Sequence, residues 1–334
     1  MNKSERIAAL SWLGHKIQSD TGLEDVLERA RQKNGFFTPE FSKLSLDAIG
    51  AWLNEKVLTG WLGDFPENTN PKQIGLILAG NIPLVGWHDL MAVFATGHIS
   101  VYKPSQSDDV LITYLIGLLE EHFPAAMSYF IKAERLNEVD ALIATGSKAT
   151  AAHFDYYFRT KPRLIRGSRS SLGLIYGFET EEELSPLCDD VMQYYGMGCR
   201  SVSKLLVPED YDFESFYKAL EKYRYVTDHH KFQNNAIYHK SIFLMNGDPF
   251  LDNDILMLRQ EKSLFTPPAV VNFEVYHNLE EAKSMVESHR AELQCVVSHQ
   301  GQFPGSIPFG TAQKPAIDDY ADGVNTLDFL RKLL

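Results

Sequence analysis

The chain has 334 residues, a formal net charge of −12, and 44% hydrophobic and 23% charged residues. That length buries a sizeable core and suits two domains. The composition is globular, and the acidic balance argues against a nucleic-acid partner. No apolar run is long enough for a membrane span, and Met1-Asn2-Lys3-Ser4-Glu5-Arg6 leads into an amphipathic pattern rather than a secretory leader. Three cysteines point to a reducing cytoplasm and not to a disulfide framework.

Residues 3–62 predict helices, with Ile7, Leu10, Leu13 and Ile17 at helical spacing. The turn-rich stretch 64–71 closes that segment. A buried strand is predicted over 74–79, followed by Gly80-Asn81-Ile82-Pro83 and a helix over 84–95. A second strand, 99–102, ends in Lys103-Pro104-Ser105, and Asp108 and Asp109 open a helix to about His122. A third strand, 141–144, ends in Thr145-Gly146-Ser147 before a helix over 148–158. Strands at 164–165 and 172–176 follow. Short buried strands alternating with helices indicate a parallel, doubly wound sheet. Ligands of such sheets bind beyond the carboxyl ends of the strands.

A second α/β unit is expected from about residue 182. It comprises the helix 181–192, the strand 204–207, a helix over 213–223, a strand over 269–275, a helix over 280–288 and a strand over 294–298. Residues 307–315 are too turn-rich for regular structure. This reading divides the chain into a cofactor-binding unit, 1–185, and a catalytic unit, 186–306, with residues 307–334 available to return to the first.

Cys199 stands out in Tyr194-Tyr195-Gly196-Met197-Gly198-Cys199-Arg200-Ser201, directly ahead of a strand. Gly198 leaves room for a turn, and a thiol there can attack a carbonyl substrate to form a thioester. A lone cysteine is more often a small buried hydrophobe, which is the reading given to Cys188 and Cys295. Asn81 is either a turn residue before proline or an amide donor to an oxyanion. Lys103 is either a solvated strand terminus or a contact for a nucleotide. Ser147 is a helix cap, a phosphate contact, or both. His229-His230 reads as a loop or surface feature. No His/Cys cluster has metal-ligand spacing, so no metal is expected.

Seven segments carry a resemblance in one order along the chain. They are Gly80-Asn81-Ile82-Pro83, Val101-Tyr102-Lys103-Pro104-Ser105, Ala144-Thr145-Gly146-Ser147, Gly167-Ser168-Arg169-Ser170, Gly198-Cys199 with Val207 eight residues on, Phe265-Thr266-Pro267-Pro268, and Pro308-Phe309-Gly310. Together they resemble the aldehyde dehydrogenase superfamily, and within it the acyl-CoA reductases of the LuxC type. The resemblance implies an aldehyde-dehydrogenase-like α/β fold of two doubly wound domains with a helical N-terminal segment.

It also implies NADPH or NADH as cofactor and acyl-CoA or acyl-carrier protein as substrate, with a homo-oligomer left open. Cys199 and Asn81 become the catalytic residues. Lys103, Ser105, Gly146, Ser147, Glu261 and Phe265 become cofactor contacts, with Ser263 the alternative to Glu261 at the nicotinamide ribose. Ile165 stands where typical members carry the glutamate that activates water, and isoleucine cannot act as a base. That departure favours reduction of a thioester over oxidation to an acid. Aldehyde oxidation, acyl-phosphate reduction, and a non-catalytic protein retaining the fold are the alternatives.

Overall fold

The computed structural model describes residues 1–20 and 22–334. The chain forms two compact units, residues 1–168 with 316–334, and residues 169–315. The sequence reading divides it later, at 185/186, and starts the return earlier, at 307. The difference comes from the strand Ser170–Leu174, whose hydrogen-bonded neighbours lie downstream at Val202–Pro208 and Leu293–Ser298.

The first unit opens with four helices, α1 (Lys3–Ser19), α2 (Leu23–Lys33), α3 (Pro39–Trp52) and α4 (Glu55–Leu62). Asn2 starts α1 in a capping box with Glu5. Thr38 caps α3, with Pro39 at its first turn. Ile7, Leu10, Leu13 and Ile17 are buried as their spacing predicts. The chain then alternates: β1 (Gln73–Ile77), α5 (Trp87–Ala95), β2 (Ile99–Lys103), α6 (Asp109–His122), β3 (Phe130–Lys132), β4 (Ala141–Thr145), α7 (Lys148–Tyr157) and β5 (Arg163–Arg166). The strands form one parallel sheet in the order β3-β2-β1-β4-β5. Its central strands are apolar on both faces, as a sheet covered on both sides requires.

Residues 316–334 complete this core. Ile317, Tyr320, Leu327 and Leu330 join the cluster that holds Leu10, Ile74, Trp87 and Ile143. The Trp61 indole donates to the Tyr320 hydroxyl at 2.8 Å. At the end of β5, buried Arg166 pairs with Asp89 of α5 at 2.6 Å and donates to the Thr326 hydroxyl at 2.8 Å.

The second unit contains β6 (Ser170–Leu174), α8 (Glu181–Met192), β7 (Val202–Pro208), α9 (Glu214–Leu220), α10 (His230–Asn246), β8 (Leu251–Asp252), β9 (Met257–Gln260), β10 (Val270–Tyr276), α11 (Leu279–Ser288), β11 (Leu293–Ser298) and β12 (Ile307–Pro308). Its sheet runs β12-β11-β6-β7-β10-β9-β8, parallel except for β8 against β9. β7 is the central strand, and six of its seven residues are buried.

The sequence reading misses α10, which buries only Phe232 and Phe243 and so shows no clear apolar stripe. His229 caps this helix, its Nδ1 accepting the Phe232 N–H at 3.2 Å. Residues 307–308, expected to be irregular, pair with β11 as an edge strand. Among the described residues, no helix is long and apolar enough to cross a membrane.

Candidate active site

In the first unit the sheet order reverses between β1 and β4. Open α/β sheets form ligand crevices at such a point, beyond the strand ends. Asn81 follows β1, Lys103 ends β2 and Ser105 follows it, and Gly146 and Ser147 link β4 to α7. Five of the sequence-predicted residues therefore lie at the carboxyl ends of three adjacent strands.

The loop after β1 packs against the loop after β2. A Cβ on Gly80 would lie 2.4 Å from the Ser105 Cβ and 2.5 Å from its Oγ, so only glycine fits there. Pro83 and Leu84 are buried, and Asn81 is exposed. Asp108 Oδ2 accepts the Leu84 N–H at 2.7 Å. Lys103 is exposed, and the backbone continues its pairing there, the Leu78 N–H donating to the Lys103 carbonyl at 3.2 Å. Ser147 caps α7, its Oγ accepting the Thr150 N–H at 3.3 Å. Gly146 donates its N–H to the Arg166 carbonyl at 3.1 Å. Ile165 is partly buried against the apolar cluster that includes Val101, Val139, Leu142 and Ala144.

In the second unit Cys199 precedes the amino end of the central strand. Tyr194, Tyr195 and Gly196 are left-handed in succession, with φ of 55°, 56° and 72°. Both tyrosines are buried. A non-glycine residue held this way costs about 1–3 kcal/mol and persists only where its surroundings enforce it. The next residues form a tight turn in which the Ser201 N–H donates to the Gly198 carbonyl at 3.0 Å. Cys199 and Arg200 occupy its central positions. The Gly198 N–H returns a bond to Ser201 Oγ at 3.1 Å, and Ser171 Oγ donates to the Cys199 carbonyl at 3.1 Å.

The three thiols differ. Cys199 and Cys295 are partly exposed, and Cys188 is buried. Burial pushes the Cys188 thiol far above its ordinary range. It pushes Cys295 up to about 11, opposed by a hydrogen bond with Ser171, whose Oγ lies 3.1 Å from Cys295 Sγ. Cys188 matches the packing role expected of it. Cys295 is only partly buried, and its sulfur meets a hydroxyl in addition to apolar neighbours.

Glu261, Ser263 and Phe265 are all exposed, on the loop between β9 and β10. This loop is pinned from beneath. Lys204 of β7 has no exposed side-chain surface and is ion-paired with Glu274. Its Nζ donates to the Glu261 carbonyl at 3.2 Å and to the Lys262 carbonyl at 2.5 Å. Burial lowers the Lys204 ammonium pKa, opposed by Glu274. Asn272 Nδ2 donates to the Ser263 carbonyl at 3.0 Å, and Ser203 Oγ donates to the Leu264 carbonyl.

Sequence reasoning misses these supports, along with Asp190 and Gln313. A lysine inside the apolar run Val202–Pro208 was the one local signal. Asp190 is buried on α8 and accepts the Gly310 N–H at 2.6 Å and the Ala312 N–H at 3.0 Å. Burial lifts its carboxyl to about 7 against those two donors. Among the described residues, no group of three or more His, Cys, Asp or Glu side chains could hold a metal ion.

No protein-family profile matches the sequence, and no curated protein matches it. Solved structures share its fold. An indole-3-acetaldehyde dehydrogenase in complex with NAD+ aligns over 98% of this chain and 82% of its own, with a TM-score of 0.71 at 12% identity. An aldehyde dehydrogenase from Bacillus cereus, also an NAD+ complex, aligns over 89% of this chain and 72% of its own, with a TM-score of 0.69 at 16% identity. A betaine aldehyde dehydrogenase from Staphylococcus aureus aligns over 94% of this chain and 73% of its own, with a TM-score of 0.67 at 15% identity. At these identities the likeness is one of fold, and the chain has an aldehyde-dehydrogenase-like α/β fold.

Proposed function

We propose that the protein is an NAD(P)H-dependent reductase that converts an acyl thioester, on coenzyme A or an acyl-carrier protein, into an aldehyde through an acyl-enzyme on Cys199. The observation that carries this reading is the Cys199 turn. A partly exposed thiol sits at the centre of a doubly closed turn, ahead of the central strand, behind three left-handed residues. A structural cysteine needs none of this, whereas a nucleophile gains from a fixed approach.

The first unit fits a nicotinamide dinucleotide. Its sheet reverses order between β1 and β4. Gly80 lies where a side chain would strike Ser105, and α7 starts directly after the end of β4, with Ser147 as its cap. Two of the fold neighbours are NAD+ complexes. Lys103, Ser105, Gly146 and Ser147 would hold the nucleotide, and Glu261 and Phe265 remain candidates for its nicotinamide half. NADH or NADPH, when bound, supplies the hydride.

The chain's own chemistry begins when the Cys199 thiolate attacks the acyl carbon. A C–S bond forms, the carrier's C–S bond breaks, and the carrier thiolate leaves and takes up a proton. After reduction, the Cys199 thiohemiacetal collapses, its C–S bond breaks, and aldehyde and thiolate separate. Asn81 is the amide donor to the oxyanion in this reading, a role worth roughly 3–4 kcal/mol. Ile165 offers no base for hydrolysis, so the acyl-enzyme waits for reductant.

Aldehyde oxidation is the second reading, favoured by the fold neighbours, which are aldehyde dehydrogenases. One experiment separates the two. The protein is incubated with a panel of acyl-CoAs, its mass is followed, and NADH or NADPH is then added. The reductase reading expects a lasting adduct on Cys199 that reductant discharges as aldehyde. Rapid release of free acid without reductant, or conversion of aldehyde and NAD+ to free acid as the faster reaction, replaces it with the second.

A further inference from the structure

We propose that Gln313 and Ser201 are positioning residues for Cys199, with the Gly310–Gln313 segment acting as a brace that, from a distant part of the chain, fixes the Met197–Gly198 peptide directly ahead of the thiol. The proposal rests on the reading of Cys199 as a nucleophile. Ser201 is 1% exposed and Gln313 is 9% exposed. Gln313 Nε2 donates to Ser201 Oγ at 3.0 Å, across 112 positions of sequence. That same oxygen accepts the Gly198 N–H at 3.1 Å. The hydroxyl therefore accepts two donors at once, one from the brace and one from the residue before the thiol.

The brace is itself anchored. Gly310 and Ala312 donate their N–H groups to the two carboxyl oxygens of Asp190. Gly310 has φ +78°, and a Cβ there would lie 2.8 Å from the Pro186 Cβ, so the segment rests directly on α8. The same helix leads into the left-handed run at Tyr194, Tyr195 and Gly196. Those conformations are not self-supporting. With α8 holding the brace and the brace holding Ser201, both ends of the strained run are fixed to one rigid element. The Cys199 backbone is then set before any substrate arrives, which is the preorganisation that attack on a carbonyl needs.

The test uses p-nitrophenyl acetate, an acyl donor without a coenzyme, beside acyl-CoA. The Cys199 thiolate forms an S–C bond to the acetyl carbon, the ester C–O bond breaks, and p-nitrophenolate leaves and is read by its absorbance. Gln313→Ala and Ser201→Ala are expected to slow the burst at least tenfold. Ser201→Thr, which keeps the accepting hydroxyl, is expected within threefold of the unsubstituted protein. Alkylation of Cys199 by iodoacetamide, which needs a thiolate and no oriented backbone, is expected to change less than twofold in all three. Loss of fold would instead lower the melting temperature and alter both reactions together, in Ser201→Thr as well.

A full burst in Gln313→Ala overturns the brace and leaves the reductase reading intact. Absence of an acyl-CoA adduct on the unsubstituted protein, with a normal burst lost in Gln313→Ala, overturns the substrate and supports the brace. A burst that survives in Cys199→Ala overturns both.

Discussion

Asp108 holds the Leu84 amide: the carboxylate oxygen Oδ2 lies 2.7 Å from the Leu84 nitrogen and accepts its proton. Leu84 needs that bond, because its φ of 59° is left-handed. The loop so fixed is the one that carries Asn81.

Burial pushes the Asp108 carboxyl well above the usual carboxylate range, against the opposing Leu84 N–H and with the nearby Asp109 charge adding to the rise. An acid raised on folding contributes stability below its unfolded pKa, near 4, and loses that contribution as pH climbs through the folded value. Asp108→Asn keeps an acceptor for Leu84 and removes the titration. Its urea midpoint is expected to match the unsubstituted protein at pH 4 and to exceed it at pH 8. Equal midpoints at pH 8 would contradict this account. Asp108→Ala strands the buried Leu84 N–H and is expected to lose about 1–3 kcal/mol at either pH.

Arg166 and Asp89 form a buried ion pair in the first unit. Removing one partner leaves the other charge uncompensated, at a cost of about 3–5 kcal/mol. Asp89→Ala is expected to lower stability by that amount in urea unfolding. The double substitution Asp89→Leu with Arg166→Met is expected to cost less than Asp89→Ala alone. A double variant weaker than the single one would show that the pair stabilises in its own right.

The thiols separate on reactivity. Burial keeps Cys188 and Cys295 protonated at pH 8, and the thiolate is the reactive form. Iodoacetamide at pH 8 is expected to label Cys199 in the native protein, and all three cysteines only after unfolding. Peptide mapping by mass spectrometry reads the outcome, and labelling of Cys295 at the rate of Cys199 would remove the distinction. Cys199→Ala is expected to abolish acylation by acyl-CoA, while Cys188→Ala keeps it.

Lys103 is exposed at the end of β2, so its removal exposes no cavity. Lys103→Ala is expected to weaken NADPH or NADH binding roughly tenfold, the loss of one charge-assisted contact. Acylation of Cys199 in the absence of reductant should stay unchanged. Fluorescence titration of the reduced cofactor measures the first and intact mass the second. Unaltered affinity would take Lys103 out of the nucleotide site.

Strand ends and their punctuation were legible because they are local. Asn81, Lys103 and Ser147 each follow a short apolar run, and parallel pairing puts such positions on one edge of a sheet. Cys199 is singled out in the sequence through its neighbours Gly198 and Val207. The supports were not. Lys204 reaching the Glu261 carbonyl, Gln313 reaching Ser201 and Asp190 reaching Gly310 each join positions more than 50 residues apart. Nothing in either partner's immediate sequence announces the other. The strand Ser170–Leu174 failed for the same reason: its residues say that it is a buried strand, and only its pairing says which sheet owns it.

The chain enters its second unit at Arg169 and leaves it at Pro315, and the first core then takes in Ile317, Tyr320, Leu327 and Leu330. On the ribosome this sets an order of events. The parallel sheet of the first unit emerges early but lacks the residues that close over α5, so its apolar surface waits while the whole second unit is synthesised. The second unit is contiguous and can finish alone. The half made first is the half that must be completed last, and it is the half whose nascent form most needs protection from aggregation.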